Sequence, residues 1–191
     1  IDTAALPGIE ARFEQAAIGY ERLVSEGYVP IGFDHFALPD DSLAIAAANG
    51  KVRRNFQGFT EDQSDVLIGF GASAISQFPD SIIQNEKNPG AYREIVGAHQ
   101  LAGTRGLIRD ADDQLRAHLI EQLLCTGRAD ATCLLNDPAA LASLRQLEER
   151  RLIIRDGNDI VMTEAGRPYA RVVAALFDTT LPVMGTGSLA A

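Results

Sequence analysis

Residues 152–162, LIIRDGNDIVM, decide how the C-terminal half of the chain is read. Two short apolar runs, Leu152-Ile153-Ile154 and Ile160-Val161-Met162, flank Asp156-Gly157-Asn158. β-Branched residues favour strands, and Gly and Asn tolerate the positive φ of a tight turn, so the stretch predicts a β-hairpin. Upstream, Asp137-Pro138 starts a helix that carries Leu141, Leu144 and Leu147 at helical spacing. Before it, Asp110 caps a helix over 111–126, with Leu115, Leu119, Leu123 and Leu124 as its apolar stripe and Gly127 as its stop. Downstream, Thr163 caps a last helix through Phe177, although Pro168 sits awkwardly within it.

Residues 110–178 therefore read helix, helix, hairpin, helix, the order of a small winged-helix module. Duplex binding does not follow from that order. From Arg109 to Asp178 there are 9 basic and 12 acidic residues, a net of −3. A helix that enters the major groove needs a basic face. The helix after Asp137 instead mixes Arg145, Arg150 and Arg151 with Glu148 and Glu149. An interaction or packing module is the preferred reading.

Toward the N-terminus, residues 9–26 predict an amphipathic helix with Phe13, Ala16, Ala17, Tyr20, Leu23 and Val24 on one face. Gly27 ends it, and residues 28–33 predict a short strand in which Pro30 argues against full pairing. One helix–strand unit cannot bury both faces of a parallel sheet. The first residue is Ile1, and IDTAALPG reads like the middle of a chain. Further strands are expected to precede it. Strand 28–33 is then expected to be exposed, re-paired or shared in a dimer. Asp40-Asp41 caps a helix over 43–48, closed by Asn49-Gly50. Residues 51–65 are polar and loop-like, 66–68 predict a strand, and the region after Ser76 reads as loop. Asn88-Pro89 starts a helix with Tyr92, Ile95, Val96 and His99 on one face.

The balance of 17 basic against 26 acidic residues gives a net charge of −9, which disfavours a nucleic-acid partner. No apolar run is long enough to span a bilayer, so no membrane partner is expected. The two cysteines, Cys125 and Cys133, make neither a disulfide framework nor a metal cluster, and a cytoplasmic setting is the expectation.

Several motifs carry potential chemistry. Gly69-Phe70-Gly71-Ala72-Ser73-Ala74 fits G-x-G-x-x-A, where glycines let the backbone approach a ligand and leave N–H groups to donate. A dinucleotide site also needs a second strand ending in an acidic residue about 20 residues later, and the loop-like sequence after Ser76 does not supply one. A structural turn is preferred for the glycines. Asp34-His35 stands at the end of the predicted strand, either facing a ligand or as a self-satisfied polar pair. Arg53-Arg54 could grip a carboxylate or phosphate, or be a solvated pair. Phe56 beside Gln57 is an aromatic next to an amide, able to pack against and read a purine ring.

Taken in order, Asp34-His35-Phe36-Ala37, Pro39-Asp40-Asp41, Arg54-Asn55-Phe56-Gln57-Gly58-Phe59-Thr60, Gly69-x-Gly71-x-Ser73-Ala74-Ile75-Ser76, Gln84-Asn85, Thr163-x-x-Gly166-Arg167 and Phe177-Asp178 resemble the radical-SAM oxygen-independent coproporphyrinogen III oxidases, also called dehydrogenases. The resemblance covers about residues 1–178 and corresponds to the C-terminal portion of such an enzyme. It implies an α+β fold, mainly α with some β. Residues 1–80 would hold the last helix–strand unit of a partial (β/α) barrel and a loop for a second S-adenosylmethionine. Residues 81–109 would be a connecting helix, 110–178 the winged-helix-like domain, and 179–191 a flexible tail.

The resemblance also implies the chemistry of the whole enzyme. A [4Fe-4S] cluster held by C-x-x-x-C-x-x-C cleaves S-adenosylmethionine. The 5′-deoxyadenosyl radical formed then drives oxidative decarboxylation of two propionates of coproporphyrinogen III to vinyls, in haem biosynthesis. The cysteine motif is not in this sequence, so the piece alone is expected to be inactive. Phe56, Gln57 and Ile75 match the residues of the second S-adenosylmethionine site, with Gly69 and Gly71 passing close by. Asp34, His35 and Arg54 are candidates for the substrate side. The alternatives are a radical-SAM-related haem chaperone, or a winged-helix module that binds a protein or DNA. Arg54-Asn55-Phe56-Gln57 favours the oxidase.

Overall fold

The computed structural model describes residues 6–179, so the expected tail falls outside the described residues from residue 180 on. The fold mixes helix and sheet throughout. It opens with α1 (Ile9–Ser25), followed by Gly27 at φ +89. Strand β1 (Val29–Ile31) then turns back directly into β2 (His35–Ala37), and the two pair antiparallel. Gly32, at φ +59, makes this reversal. The strand expected over 28–33 is therefore cut short, and its only partner among the described residues is β2. Asp34 lies in the turn and His35 begins β2, where the sequence suggested a pair at a strand's end.

Helix α2 (Ser42–Ala48) is capped as expected, with Asp41 accepting from the Leu43 N–H at 2.8 Å. Ile31, Ala37, Ala44, Ala46, Val52 and Phe59 form a small core beneath it. The polar loop that follows contains two minimal strands, β3 (Arg53–Arg54) and β4 (Phe59–Thr60), paired antiparallel. Residues 66–68 are not a strand. Only Leu67 makes a bridge, to Gln77.

The middle of the chain departs most from the sequence reading. Strands β5 (Ile75–Gln77), β6 (Ser81–Asn85) and β7 (Gly103–Ile108) form an antiparallel sheet in that order. The expected connecting helix over 81–109 is thus only one part, α3 (Pro89–Gly97), set between two strands. Pro79-Asp80 is the hairpin turn between β5 and β6, and Ile82-Ile83 supplies the β-branched pair that a loop reading overlooked. Asn88 caps α3 as expected, accepting from the Gly90 and Ala91 N–H groups. His99 falls beyond the helix end, at φ +58.

The C-terminal part follows its predicted order closely. It comprises α4 (Ala111–Thr126), β8 (Arg128–Asp130), α5 (Pro138–Glu149), β9 (Ile153–Asp156), β10 (Asp159–Met162) and α6 (Ala170–Ala174). Asp110 and Asp113 form a reciprocal cap on α4, and Gly127 ends it at φ +74. The hairpin turn uses positive φ at Gly157 alone. Strand β8, not predicted, joins the hairpin as a third antiparallel strand in the order β8-β10-β9. The last helix is broken: Arg167–Tyr169, which contains Pro168, and Ala175–Phe177 are 3-10 turns flanking α6. Leu119, Leu123, Leu144, Leu147, Ile153, Ile160, Val173 and Phe177 lie at the centre of this core. Leu115 of the predicted stripe stays 48% exposed at the first turns of α4.

Polar contacts and one thiol join the two cores. Glu121 on α4 accepts from Arg53 Nε (2.8 Å) and from the Arg54 backbone N–H (2.9 Å). Arg167 donates to the Gly32 carbonyl at 3.2 Å. Cys125 packs against the smaller core, and burial pushes its thiol up to about 12, helped by Glu121 and opposed by Arg54 and Arg53. Burial raises Cys133 as well. Among the described residues no helix is long and apolar enough to cross a membrane.

Two outcomes follow from this packing. Leu144→Ala, at a side chain only 1% exposed, lowers stability by about 2–5 kcal/mol in urea or thermal unfolding. At pH 8 burial keeps the Cys125 thiol protonated in the fold, so it reacts with Ellman's reagent at least about tenfold more slowly in the native chain than in urea.

Candidate functional site

Of the sequence-predicted residues, Asp34, His35, Arg54, Phe56 and Gln57 gather around two adjacent turns. The first is the reversal at residues 32–35. The second is the hairpin tip at residues 55–58. The tip is closed by two backbone hydrogen bonds: Asn55 N–H donates to the Gly58 carbonyl (3.0 Å), and Gly58 N–H to the Asn55 carbonyl (3.3 Å). The Asn55 side chain adds a second lock, with Oδ1 accepting from the Gln57 N–H (2.8 Å) and the Gly58 N–H (3.3 Å). Phe56 and Gln57 are therefore the two loop residues of a tight hairpin. They project outward, with Phe56 50% exposed.

The tip rests on aromatic rings. Phe59, 8% exposed, stands T-shaped to Phe33 (5.7 Å between centroids) and to His35 (5.1 Å). The Arg54 guanidinium lies over both Phe33 (5.3 Å) and Phe59 (5.1 Å). Arg171 of α6 covers Phe33 at 5.0 Å and stands 3.6 Å from Asp34 Oδ2. His35 Nδ1 donates to Asp34 Oδ1 at 2.7 Å. The structure thus brings Asp34, His35 and Arg54 together beside the tip. Arg53, next in sequence, is turned away to Glu121 and Asp65.

Gly69 and Gly71 behave otherwise than the motif suggested. Their N–H groups are taken internally, Gly69 by Ser76 Oγ and Gly71 by the Tyr92 hydroxyl, each at 3.0 Å. Asn85 Nδ2 donates to both their carbonyls, at 3.1 and 3.0 Å. A Cβ at Gly69 would come within 2.6 Å of the Ile75 carbonyl oxygen, so this glycine serves a close backbone crossing. Only Gly71, at φ +109, has open space beside it. Ile75 lies on β5, half-buried, opposite Gln84. It sits on the sheet and apart from the hairpin tip in sequence. A shallow groove between the two elements is lined by Arg54, Asn55, Thr60, Leu67, Gln77 and Glu121 among others.

The groove is small, about 30 Å³. A larger cavity of about 510 Å³ lies between α1 and Pro168, lined by Phe13, Ala17, Tyr20, Leu23, Phe33 and Phe36 among others. Phe56, Gln57 and Ile75 do not line it. Among the described residues, no group of three or more His, Cys, Asp or Glu is placed to hold a metal ion. The tip offers a half-exposed ring and an exposed amide on a rigid turn. That suits one wall against a flat polar ring, with the rest of an enclosure supplied from elsewhere.

Sequence reasoning missed the supports of this tip: Gly32, Phe33, Asn55, Gly58, Glu121 and Arg171. The Asn-x-x-Gly spacing around Phe56-Gln57 was a readable hairpin signal. The aromatic stack and the α6 arginine had no local signature.

A comparison with models of known protein families finds no match. Curated relatives do match. The oxygen-independent coproporphyrinogen III oxidase of Bradyrhizobium diazoefficiens is 42% identical over 189 residues, covering 95% of this chain and 42% of that protein. Those of Cereibacter sphaeroides and Pseudomonas aeruginosa are 36% and 37% identical, over 93% and 95% of this chain. The chain spans about two-fifths of the length of these relatives. Among solved structures, a coproporphyrinogen III oxidase from Escherichia coli, described as a radical SAM enzyme, superposes with a TM-score of 0.84 at 34% identity, covering 95% of this chain and 44% of that one. The chain matches the C-terminal part of the oxygen-independent coproporphyrinogen III oxidases.

Proposed function

We propose that this chain is the C-terminal region of an enzyme that oxidatively decarboxylates two propionates of coproporphyrinogen III to vinyls. It would work in haem biosynthesis and in the cytoplasm. The observation that carries the reading is the locked hairpin tip, which presents Phe56 and Gln57 within the motif that matches the family. In this reading Phe56 and Ile75 give apolar walls to a second S-adenosylmethionine and Gln57 gives it a hydrogen-bonding amide. When bound in such an enzyme, S-adenosylmethionine together with a [4Fe-4S] cluster supplies the radical chemistry. This chain's own residues bind, orient and exclude water.

Asp34, His35 and Arg54 would lie on the substrate side. The guanidinium of Arg54, held over two rings, suits a carboxylate-bearing substrate. Residues 110–178 would form a winged-helix-like cover, with α5 and the β9–β10 hairpin as its helix and wing. Arg128 is bound to both Asp156 and Asp159 near the hairpin turn. That neutralised wing, with the net charge of −3, favours packing against protein over a phosphate backbone.

In the full-length protein carrying this sequence, Phe56→Ala and Gln57→Ala each lower the decarboxylation rate at low S-adenosylmethionine by at least about tenfold. Cluster absorption stays unchanged. Product is read by chromatography of the oxidised porphyrins, and wild-type rates in both variants would rule the wall out. The isolated 191-residue chain, reconstituted with iron and sulfide, takes up no cluster and cleaves no S-adenosylmethionine.

A further inference from the structure

Gly58, at the base of the Phe56-Gln57 tip, has φ +142 and faces the imidazole of His35. A Cβ at position 58 would stand 2.7 Å from His35 Nε2 and 3.1 Å from Cε1. The ring therefore fits the notch left by the missing side chain. It is fixed there from two other sides. Nδ1 is held by Asp34, and the ring stands edge-on to Phe59. Asp34 is itself within 3.6 Å of Arg171, whose guanidinium covers Phe33. A half-exposed side chain held by three independent contacts has lost most of its rotamer freedom. It meets the tip at the one residue that must be glycine.

We propose that His35, oriented by Asp34, is a positioning residue that sets the height and angle of the Phe56-Gln57 tip. The chain of contact runs from Arg171 through Asp34 and His35 to Gly58, so α6 reaches a tip to which it is not connected in sequence. Removing the imidazole leaves empty space beneath Gly58. The Asn55 lock, no longer braced from below, opens more often, and the tip tilts. A displacement of about 1 Å at a binding wall is enough to weaken a ligand strongly. This inference rests on the reading of Phe56 and Gln57 as a cofactor wall.

The test uses the full-length protein with His35→Ala, His35→Gln, Gln57→Ala and the double variant. Hydrogen–deuterium exchange of the peptide covering residues 54–59 gives a readout that needs no turnover. His35→Ala speeds exchange at Asn55, Gln57 and Gly58 at least about tenfold, while α4 and α5 keep wild-type protection. In kinetics its KM for S-adenosylmethionine rises about tenfold and kcat falls less than threefold. His35→Gln, which keeps a donor for Asp34, recovers part of both. In the double variant the added loss from His35→Ala is smaller than on the wild-type background, because His35 acts through the tip that carries Gln57. Additive losses, or unchanged exchange in His35→Ala while Gln57→Ala remains impaired, would overturn the positioning role alone. Phe56→Ala and Gln57→Ala proteins that both keep the wild-type KM would remove the cofactor wall and this inference together.

Discussion

The ring of Phe59 occupies the volume that a side chain at position 32 would need, and the arrangement around the hairpin tip depends on that fit. Gly32 reverses the chain between β1 and β2 at positive φ, and the absence of its Cβ lets β4 come down onto the turn. Once Phe59 is seated, Phe33 and His35 pack against its edges and Arg54 lies over the rings. Phe59 pairs in register with Arg54 on β3, so its position fixes the hairpin whose tip is Phe56-Gln57. A β-carbon at residue 32 would push this ring out, and with it both turns. Strain and clash act together there, since positive φ already disfavours any other residue.

Around that contact the chain places charge economically. Glu121 serves two donors, a guanidinium and a backbone N–H, and so ties α4 to β3. Arg53 and Arg54 share a strand and point to different tasks, one to an ion pair and the other to an aromatic surface. Surface ion pairs of this kind add little stability by themselves. Their effect here is geometric, because they orient the C-terminal core against the turns that carry the tip. The two cores are each apolar and closed, while the contacts between them are largely polar. Such an interface holds a relative orientation through directional bonds more than through buried area.

The local chemistry of the chain was legible. Asp41, Asn88, Asp110 and Asp137 each cap the helix they precede, because a side-chain oxygen two or three residues from free N–H groups needs no distant partner. Gly127 and Gly157 stop a helix and turn a hairpin for equally local reasons. The β5–β6–β7 sheet was not legible. Its strands are three to six residues long, and β6 pairs with β7 across an inserted helix. Strand pairing over that separation leaves no periodic trace in so short a run. The same holds for β8, whose three residues gain their identity only by joining β10.

The sequence by itself determined where the capped helices start, the C-terminal hairpin and the order of the C-terminal part, since each rests on neighbours within a few positions. The tertiary structure alone decided that the glycine N–H groups at 69 and 71 are already bonded, that β1 folds back on β2, and that Arg171 reaches Asp34. It also decided that His35 sits in the notch of Gly58, twenty-three positions along the chain. Such contacts arise where separate turns converge in space, and no spacing rule within one segment encodes that convergence.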